Sequence, residues 1–450
     1  MSNKAERSLT EGPIFKVLAK LALPIMASSF LSTAYSITDM AWIGKLGAKA
    51  VAGVGVGGMY LWFSSGFVAL CKMGGQVLMA QSIGSGEKED AKHIAHAAIW
   101  LTIIFGVVYG ILSVMFIGTL IKLLGVDDPV TAEHADIYMK LTCGLVIFSY
   151  MGRVLTGLYT AQGDSKTPLK ANIVGLATNM ILDPVLILGI GPVPKLGVLG
   201  AAIATLFAHV LVLAVLVWGI FFDKKKENLL RGVKFYKMPK ARYVKGVFKM
   251  GIPAGVQSMI YCLISMVLTR FASVYGEEVI ATQRVGENIE SISWNTADGF
   301  GAAMNAFAGQ NYGAGKVERI RKGYKMSAIM LFLWGVFIML IFFVFSPGIA
   351  RIFFHEAEVI PYAVKYLVII GISEPFMCIE LLAIGAISGM GNTRICSIIS
   401  VVFTSLRIPI AYVLSNMGLG IAGIWWAMAV TSIMKGIVLH VAFYRESRRI

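Results

Sequence analysis

Charge is what this 450-residue chain has least of: only 14% of its residues are Asp, Glu, Lys or Arg, while 57% are hydrophobic. A soluble domain carries about 25% charged residues, so this balance excludes a soluble globular protein, and a mean hydropathy of +0.74 describes a chain built for a bilayer. Cysteine is scarce as well. Cys71, Cys143, Cys262, Cys378 and Cys396 fall within or at the ends of apolar segments, without the paired spacing of a metal site or disulfide framework, and are expected to pack as small hydrophobes. The alternating segments of about ten residues that mark a membrane β-barrel are missing. So are a phosphate loop followed by Lys-Ser/Thr, an HExxH pair, a nucleophile elbow and a selectivity-filter stretch. Nothing here points to an enzyme, a channel or direct use of ATP, and no cofactor is expected.

What the chain has instead is apolar length. A bilayer core takes about 20 helical residues per crossing, and runs of that size recur with short loops between them, predicting an all-α membrane protein of twelve transmembrane helices. Six spans are expected at 14–44, 49–82, 92–124, 130–162, 167–191 and 196–222. Six more are expected at 246–275, 279–311, 323–353, 358–389, 395–416 and 420–444. The domains are then an amino terminus (1–13), a first lobe (14–222), a basic linker (223–245), a second lobe (246–444) and a carboxy terminus (445–450). Residues 1–12 are polar and precede no small-residue cleavage site, so no removable signal peptide is expected.

Acids are outnumbered, 25 against 40 basic residues, a net charge of +15. The excess does not mark nucleic acid as a partner, because it lies in alternate loops: Lys4 and Arg7, Lys88 and Lys92, Lys166 and Lys170, the run from Lys224 to Lys245, Lys316 to Lys325, Arg394, and Arg445, Arg448 and Arg449. The intervening loops hold Asp127, Asp128, Glu133, Asp136, Glu277, Glu278, Glu356 and Glu358. By the positive-inside rule both termini and the linker face the cytoplasm, which an even number of spans requires. A multi-pass protein of the cytoplasmic (inner) membrane follows.

The halves are duplicates. Leu23-Pro24 returns as Ile252-Pro253, Gly47 as Gly276, Val56-Gly57 as Val285-Gly286, and Gln81-Ser-Ile-Gly-Ser-Gly86 as Gln310-Asn-Tyr-Gly-Ala-Gly315, all at one offset of 229 (253 − 24). Later pairs drift: Gly163-Asp164 with Gly391-Asn392, and Gly197-Val-Leu-Gly-Ala201 with Gly420-Ile-Ala-Gly-Ile424. Six spans per repeat keep both halves in the same orientation, as pseudo-symmetric lobes.

Against that scaffold one residue stands out. Asp39 lies inside an apolar run, where a charge costs about 2.5–3.5 kcal/mol or more and is expected to be protonated, paired or holding a cation. Asn179 and Asp183 are one helical turn apart, an amide and a carboxylate on one face. Pro184 leaves the Met180 carbonyl without its helix donor. With Thr205 the set is all oxygen, suited to protons or a hard cation and not to zinc. Two such carboxylates close together do not both ionise readily and can share a proton. The repeat supplies a control: Asp39 corresponds to Leu268, Asp183-Pro184 to Ile408-Pro409 and Thr205 to Met428. Packing therefore does not demand polar residues there. The competing reading is a pair of protonated or paired structural acids.

These motifs resemble the multidrug and toxic compound extrusion (MATE) transporters, and within them a DinF-like bacterial branch. The resemblance rests on Leu23-Pro24, Thr38-Asp39 with Ile43-Gly44, the repeated Gln-x-x-Gly-x-Gly, Gln162-Gly163-Asp164-Ser-Lys-Thr-Pro168, Asn179-Met-Ile-Leu-Asp183-Pro184 and Gly197-Val-Leu-Gly-Ala-Ala-Ile-Ala-Thr205. It implies a V-shaped pair of six-helix lobes that exports amphipathic, often cationic, drugs in exchange for H⁺ or Na⁺, giving xenobiotic resistance. It carries a cation-coupling network onto Asp39, Tyr138, Asn179, Asp183 and Thr205, with the Ala201 carbonyl; Asp39, Asn179, Asp183 and Thr205 are the metal ligands if Na⁺ is the ion. Tyr35, Asp39, Met180 and Asp183 are expected at the substrate, and Pro24 as a hinge. A related branch has Glu on the seventh span where this chain has Tyr261, which counts against a cation site of that type in the second lobe. Expected partners are small-molecule drugs and the lipid bilayer, with no obligate protein partner and a monomeric state. A flippase for lipid-linked precursors is the alternative, kept open by Lys72, Arg153 and Arg284.

Arg284 and Glu287 are expected to pair at i and i+3, with Glu290, Glu374 and Glu380 as further cation-recognition candidates; whether any of these charges takes part is left open. His93 and His96 are expected at the surface. Met26, Met40, Met73, Met79, Met151 and Met180 are expected mostly to pack, with an adaptable drug cavity as the alternative.

Overall fold

The computed structural model describes residues 9–190, 194–222, 228–233, 237–354 and 358–449; the side chains of Gly232, Glu277, Glu278 and Ala281 are not described. The expectations placed on Lys4, Arg7, Glu277, Glu278, Glu356 and linker residues 223–227 and 234–236 lie outside that description.

All regular structure among the described residues is helical. The first repeat comprises α1 (Ile14–Gly44), α2 (Ala48–Gly84), α3 (Lys88–Met115), the short α4 (Ile117–Leu123), α5 (Pro129–Thr142), α6 (Ile147–Ala161), α7 (Lys166–Leu188) and α8 (Val198–Phe221). A 3₁₀ turn, Leu229–Gly232, precedes the second repeat: α9 (Ala241–Ser273), α10 (Glu277–Gly313), α11 (Val317–Phe353), α12 (Ile360–Gly389), α13 (Thr393–Ser405), α14 (Arg407–Leu414) and α15 (Ile421–Arg448).

Ten helical stretches among the described residues are long and apolar enough to cross a membrane, and α5 with α6, bent by 49° at their break, supplies an eleventh. The twelfth expected span is α10. Its 37 residues suffice in length, but Arg284, Glu287, Glu290, Asn295 and Asp298 make it the polar helix of the set. Three spans expected to be continuous are interrupted, at Phe116, at 143–146 and at Leu406. At the second break the chain runs close to α3: a Cβ at Gly110 would meet the Gly144 carbonyl oxygen at 2.4 Å. The linker is also shorter than expected, because α9 begins at Ala241 rather than 246.

Packing gathers the helices into two compact units. One takes the described residues of 27–255, the other those of 8–26 and 256–450. The division thus falls not in the expected 223–245 linker but two residues after Pro24 and two after Pro253, the same place in each repeat. A proline inside a helix removes one i→i−4 bond, so both helices change unit where their backbone is least tied.

Between membrane helices the hydrophobic effect supplies little drive, and close approach depends on small residues. In the first unit Gly75 of α2 packs on Ala98 of α3, beside a core built on Met79, Val154 and Leu158. In the second unit α12 is central, contacted by α10, α11 and α15. A Cβ at its Gly385 would come 2.1 Å from the Gly301 carbonyl oxygen.

The duplication is repeated in the backbone. Gly86 and Gly315, closing the Gln-x-x-Gly-x-Gly motifs, have φ of +84° and +70°, and Gly197 and Gly420, opening α8 and α15, both have φ of +56°. Side chains are strained in that region, so the motif glycines are demanded by the turns. All five cysteines are free and buried, as the apolar reading expects.

Candidate functional site

Three helices of the first unit each present one row of side chains at i, i+4 spacing. On α1 the row is Tyr35, Asp39 and Ile43; on α7, Asn179, Asp183 and Ile187; on α8, Ala201, Thr205 and His209. Ile43, Ile187 and Ala201 meet with Val54, Tyr138 and Val198 in one buried apolar layer. The acids sit one turn away from it: Asp183 and Asn179 are fully buried, Asp39 is 8% exposed and Thr205 is 5% exposed.

The polar groups converge. The Asp39 and Asp183 carboxyl groups lie beside one another and interact directly. Asn179 Nδ2 donates to Asp183 Oδ1 at 3.2 Å. The Tyr35 hydroxyl and Thr205 Oγ1 are 3.2 Å apart, and the Tyr138 hydroxyl lies within reach of the same threonine. Tyr138 holds its place because α2 turns a glycine toward it: a Cβ on Gly57 would come 2.6 Å from the Tyr138 ring. Asp39 Oδ1, Asn179 Oδ1 and Asp183 Oδ2 are buried without a hydrogen-bond partner. Buried polar atoms are rarely left that way, and three orphaned oxygens, two of them on carboxyl groups and one on an amide, fit a proton or a hard monovalent cation. Among the described residues no group of three or more His, Cys, Asp or Glu could hold a transition metal.

Tyr35, Asp39, Tyr138, Asn179, Asp183, Ala201 and Thr205 are therefore brought together. Met180 is not: it is 43% exposed, one residue off the buried Asn179 face. Pro24 lies within a continuous α1. Of the six methionines, Met79 is core, and none lines the cavity beside Tyr35, the one beside Arg153 or the one beside Gly286.

The second unit repeats the packing with different chemistry. Gly286 packs on Tyr366 as Gly57 does on Tyr138. Around Tyr366 are Glu290, whose Oε2 accepts from the Tyr366 hydroxyl at 3.4 Å, and Glu374, fully buried with both carboxyl oxygens unpartnered. Glu380 is neutralised by Lys435, Nζ to Oε1 2.8 Å, both nearly fully buried. The expected Arg284–Glu287 ion pair does not form. Glu287 instead accepts from Gln283 Nε2 at 2.9 Å, one turn back on the same face. The expected surface position of His96 is also corrected: it is 7% exposed, while His93 stacks on Tyr243 with ring centroids 5.0 Å apart.

Two buried cations escaped the sequence reading. Arg407 donates to Thr431 Oγ1 (3.1 Å) and Ser432 Oγ (2.9 Å) and sits 5.8 Å from the Tyr261 ring; Lys435 is the other. The cost of a charge in an apolar run, which makes Asp39 conspicuous, applies equally to basic residues and marks Arg407 and Lys435 in the same way.

Comparison with known proteins gives a consistent answer. Residues 24–185 and 253–413 match the MatE family, the two stretches beginning at the prolines that set the duplication. A probable multidrug resistance protein NorM of Thermotoga maritima is 28% identical over 440 residues, covering 97% of this chain and 93% of that protein. An FAD transporter of Shewanella oneidensis is 25% identical, covering 97% and 96%. A solved structure described as MATE in the straight conformation has a TM-score of 0.91 at 21% identity, over 100% of this chain and 99% of its own. An outward-facing multidrug resistance MATE family transporter has a TM-score of 0.89 at 22% identity, with the same coverage. With both repeats matched and the fold shared from end to end, this multi-pass membrane protein belongs to the MatE family, the multidrug and toxic compound extrusion proteins its motifs resemble.

Proposed function

We propose that the protein is a secondary multidrug efflux antiporter of the cytoplasmic membrane, exporting amphipathic, often cationic, compounds in exchange for H⁺ or Na⁺. The observation that carries this reading is the convergence of Asp39 and Asp183 from two helices, with orphaned oxygens on Asp39, Asn179 and Asp183. In this reading the coupling ion binds at Asp39, Asn179, Asp183 and Thr205, with Tyr138 and the Ala201 carbonyl behind them. Tyr35, bonded to Thr205, links the ion site to the substrate. Pro24 is the hinge. A proton or cation on the carboxyl pair favours one arrangement of α1 over another, and coupling resides in that difference of affinity between states. Both termini are cytoplasmic, the monomer is the working unit, and the branch is DinF-like.

The relatives' names, multidrug resistance proteins and an FAD transporter, support an exporter of organic molecules over the flippase alternative. The test is dye export from proteoliposomes under separately imposed Na⁺ and pH gradients. Export driven by one gradient and collapsed by its ionophore is expected. Equal export with neither gradient refutes antiport, and movement of labelled lipid in place of dye favours the flippase.

A further inference from the structure

Ahead of α1, the backbone of residues 9–11 is held by side chains at the turn between α10 and α11 of the second unit. The Leu9 N–H donates to Gln310 Oε1 (3.1 Å), and Asn311 Nδ2 donates to the Leu9 carbonyl (3.1 Å) and to that of Phe307 (2.8 Å). Lys316 Nζ donates to the Thr10 carbonyl (3.0 Å) and Arg319 Nη2 to that of Glu11 (2.8 Å). Backbone groups outside helices need partners, and this strap takes three carbonyl partners and one amide partner from a single neighbouring turn. The Leu9 side chain is 4% exposed and belongs to the same core as Phe307, Ile320 and Tyr324.

These contacts give a role to the second Gln-x-x-Gly-x-Gly motif, which the exporter reading leaves unused. Its glycines are required by the turn, but its amides are not. Gln310 and Asn311 are buried, whereas the first repeat has Gln81 and Ser82 at those positions, both half-buried. Burying an amide is costly unless it is hydrogen-bonded, and the strap supplies bonds to both. The start of α1 continues the attachment. Leu18, Leu21 and Ala22 are buried in the same core, and Met26 lies against Gly299, where a Cβ would come 2.5 Å from Met26 Cγ. From Ala27 onward α1 belongs to the first unit. Asp39 follows 12 residues later (39 − 27), about 18 Å along the helix.

We propose that Gln310 and Asn311 form a latch that fixes the strap, and with it the start of α1, to the second unit, and that they are positioning residues for ion coupling. The inference rests on the exporter reading, in which Pro24 is the hinge, and adds the fixed end that a hinge requires. An ion at Asp39 favours one arrangement of α1 only against a start that stays in place. With the strap released, the same free energy is dissipated in moving a loose helix end, and ion passage no longer depends on export.

The test uses the full-length protein in proteoliposomes with a rhodamine dye as probe, and hydrogen exchange in parallel. Gln310→Leu removes the acceptor of the Leu9 N–H; Gln310→Glu keeps it. One net hydrogen bond corresponds to a factor of about 2 to 12, so exchange at residues 9–12 should rise by that much in Gln310→Leu, while α12 stays protected and shows that the variant is folded. Maximal dye export should fall by a similar factor with the half-saturating dye concentration within about twofold of wild type, and ion flux without dye should rise. Gln310→Glu should restore both protection and export. If α12 also loses protection in Gln310→Leu, the same readings on Lys316→Met, which removes only the exposed bond to Thr10, decide the matter. A loosened strap with export and ion flux unchanged overturns the latch, as does a loss that lies only in the half-saturating concentration. Wild type that exports no dye under either gradient overturns the exporter reading, and the coupling role with it.

Discussion

Replacing Asp39 by asparagine separates the coupling role from the structural one. Asp39 Oδ1 has no hydrogen-bond partner and the carboxyl faces Asp183. The amide introduced by Asp39→Asn has nearly the same shape and can donate toward that same acid. The change exchanges hydrogen bonds within the site, a net effect of about 0.5–1.5 kcal/mol in either direction. Since 1 kcal/mol moves Tm by about 2–4 °C in a unit of this size, Tm should stay within about 6 °C of wild type. Transport should respond very differently. Driving a two-state equilibrium from 1:99 to 99:1 takes about 5.5 kcal/mol of differential affinity, and an amide can neither take up the proton nor supply the ion-binding charge. Export from proteoliposomes under an imposed gradient should fall at least tenfold, while Tm, read from tryptophan fluorescence, barely moves. Export within twofold of wild type would refute the coupling role. A collapse of Tm with export would mean that the acid is structural.

Three further outcomes test other parts of the structure. Gly57→Ala drives a methyl to 2.6 Å from the Tyr138 ring and should cost about 1–3 kcal/mol and reduce export, whereas Gly55→Ala, with nothing within 4 Å, should be neutral or slightly stabilising in thermal melts. Lys435→Met strands the buried Glu380 carboxylate and should destabilise by about 3–5 kcal/mol, with Glu380→Leu added to it restoring most of the loss in denaturant titrations. Asp128, outside the spans, accepts from Lys49 Nζ (2.8 Å), Thr131 Oγ1 (2.7 Å) and Thr131 N (2.9 Å), and these donors hold its carboxyl down at about 2. A depressed folded value contributes stability above the unfolded value near 3.9 and loses it as pH falls toward about 2. Asp128→Asn should therefore lower Tm slightly at neutral pH, with the difference from wild type closing between about pH 4 and pH 2.

The membrane class, the helical spans and the duplication are legible in the sequence because each is a local or periodic property. Apolar length makes a span, a recurrent glycine makes a recurrent turn, and one fixed offset makes a repeat. Asp39, Asn179 and Asp183 are legible for the same reason, since a charge in an apolar run and an i, i+4 pair need no tertiary knowledge to be conspicuous. Tertiary structure decided which polar groups find one another. Glu287 turns to Gln283 and not to Arg284, Glu380 finds Lys435 fifty-five residues away (435 − 380), and Met180 faces away from the cluster that its neighbour Asn179 completes. It also decided that α1 and α9 change compact unit just past their prolines, and that Thr205 bonds Tyr35 and lines a cavity with Arg153 and His209. Those outcomes depend on side-chain direction and on which helices are neighbours, and spacing along one chain encodes neither.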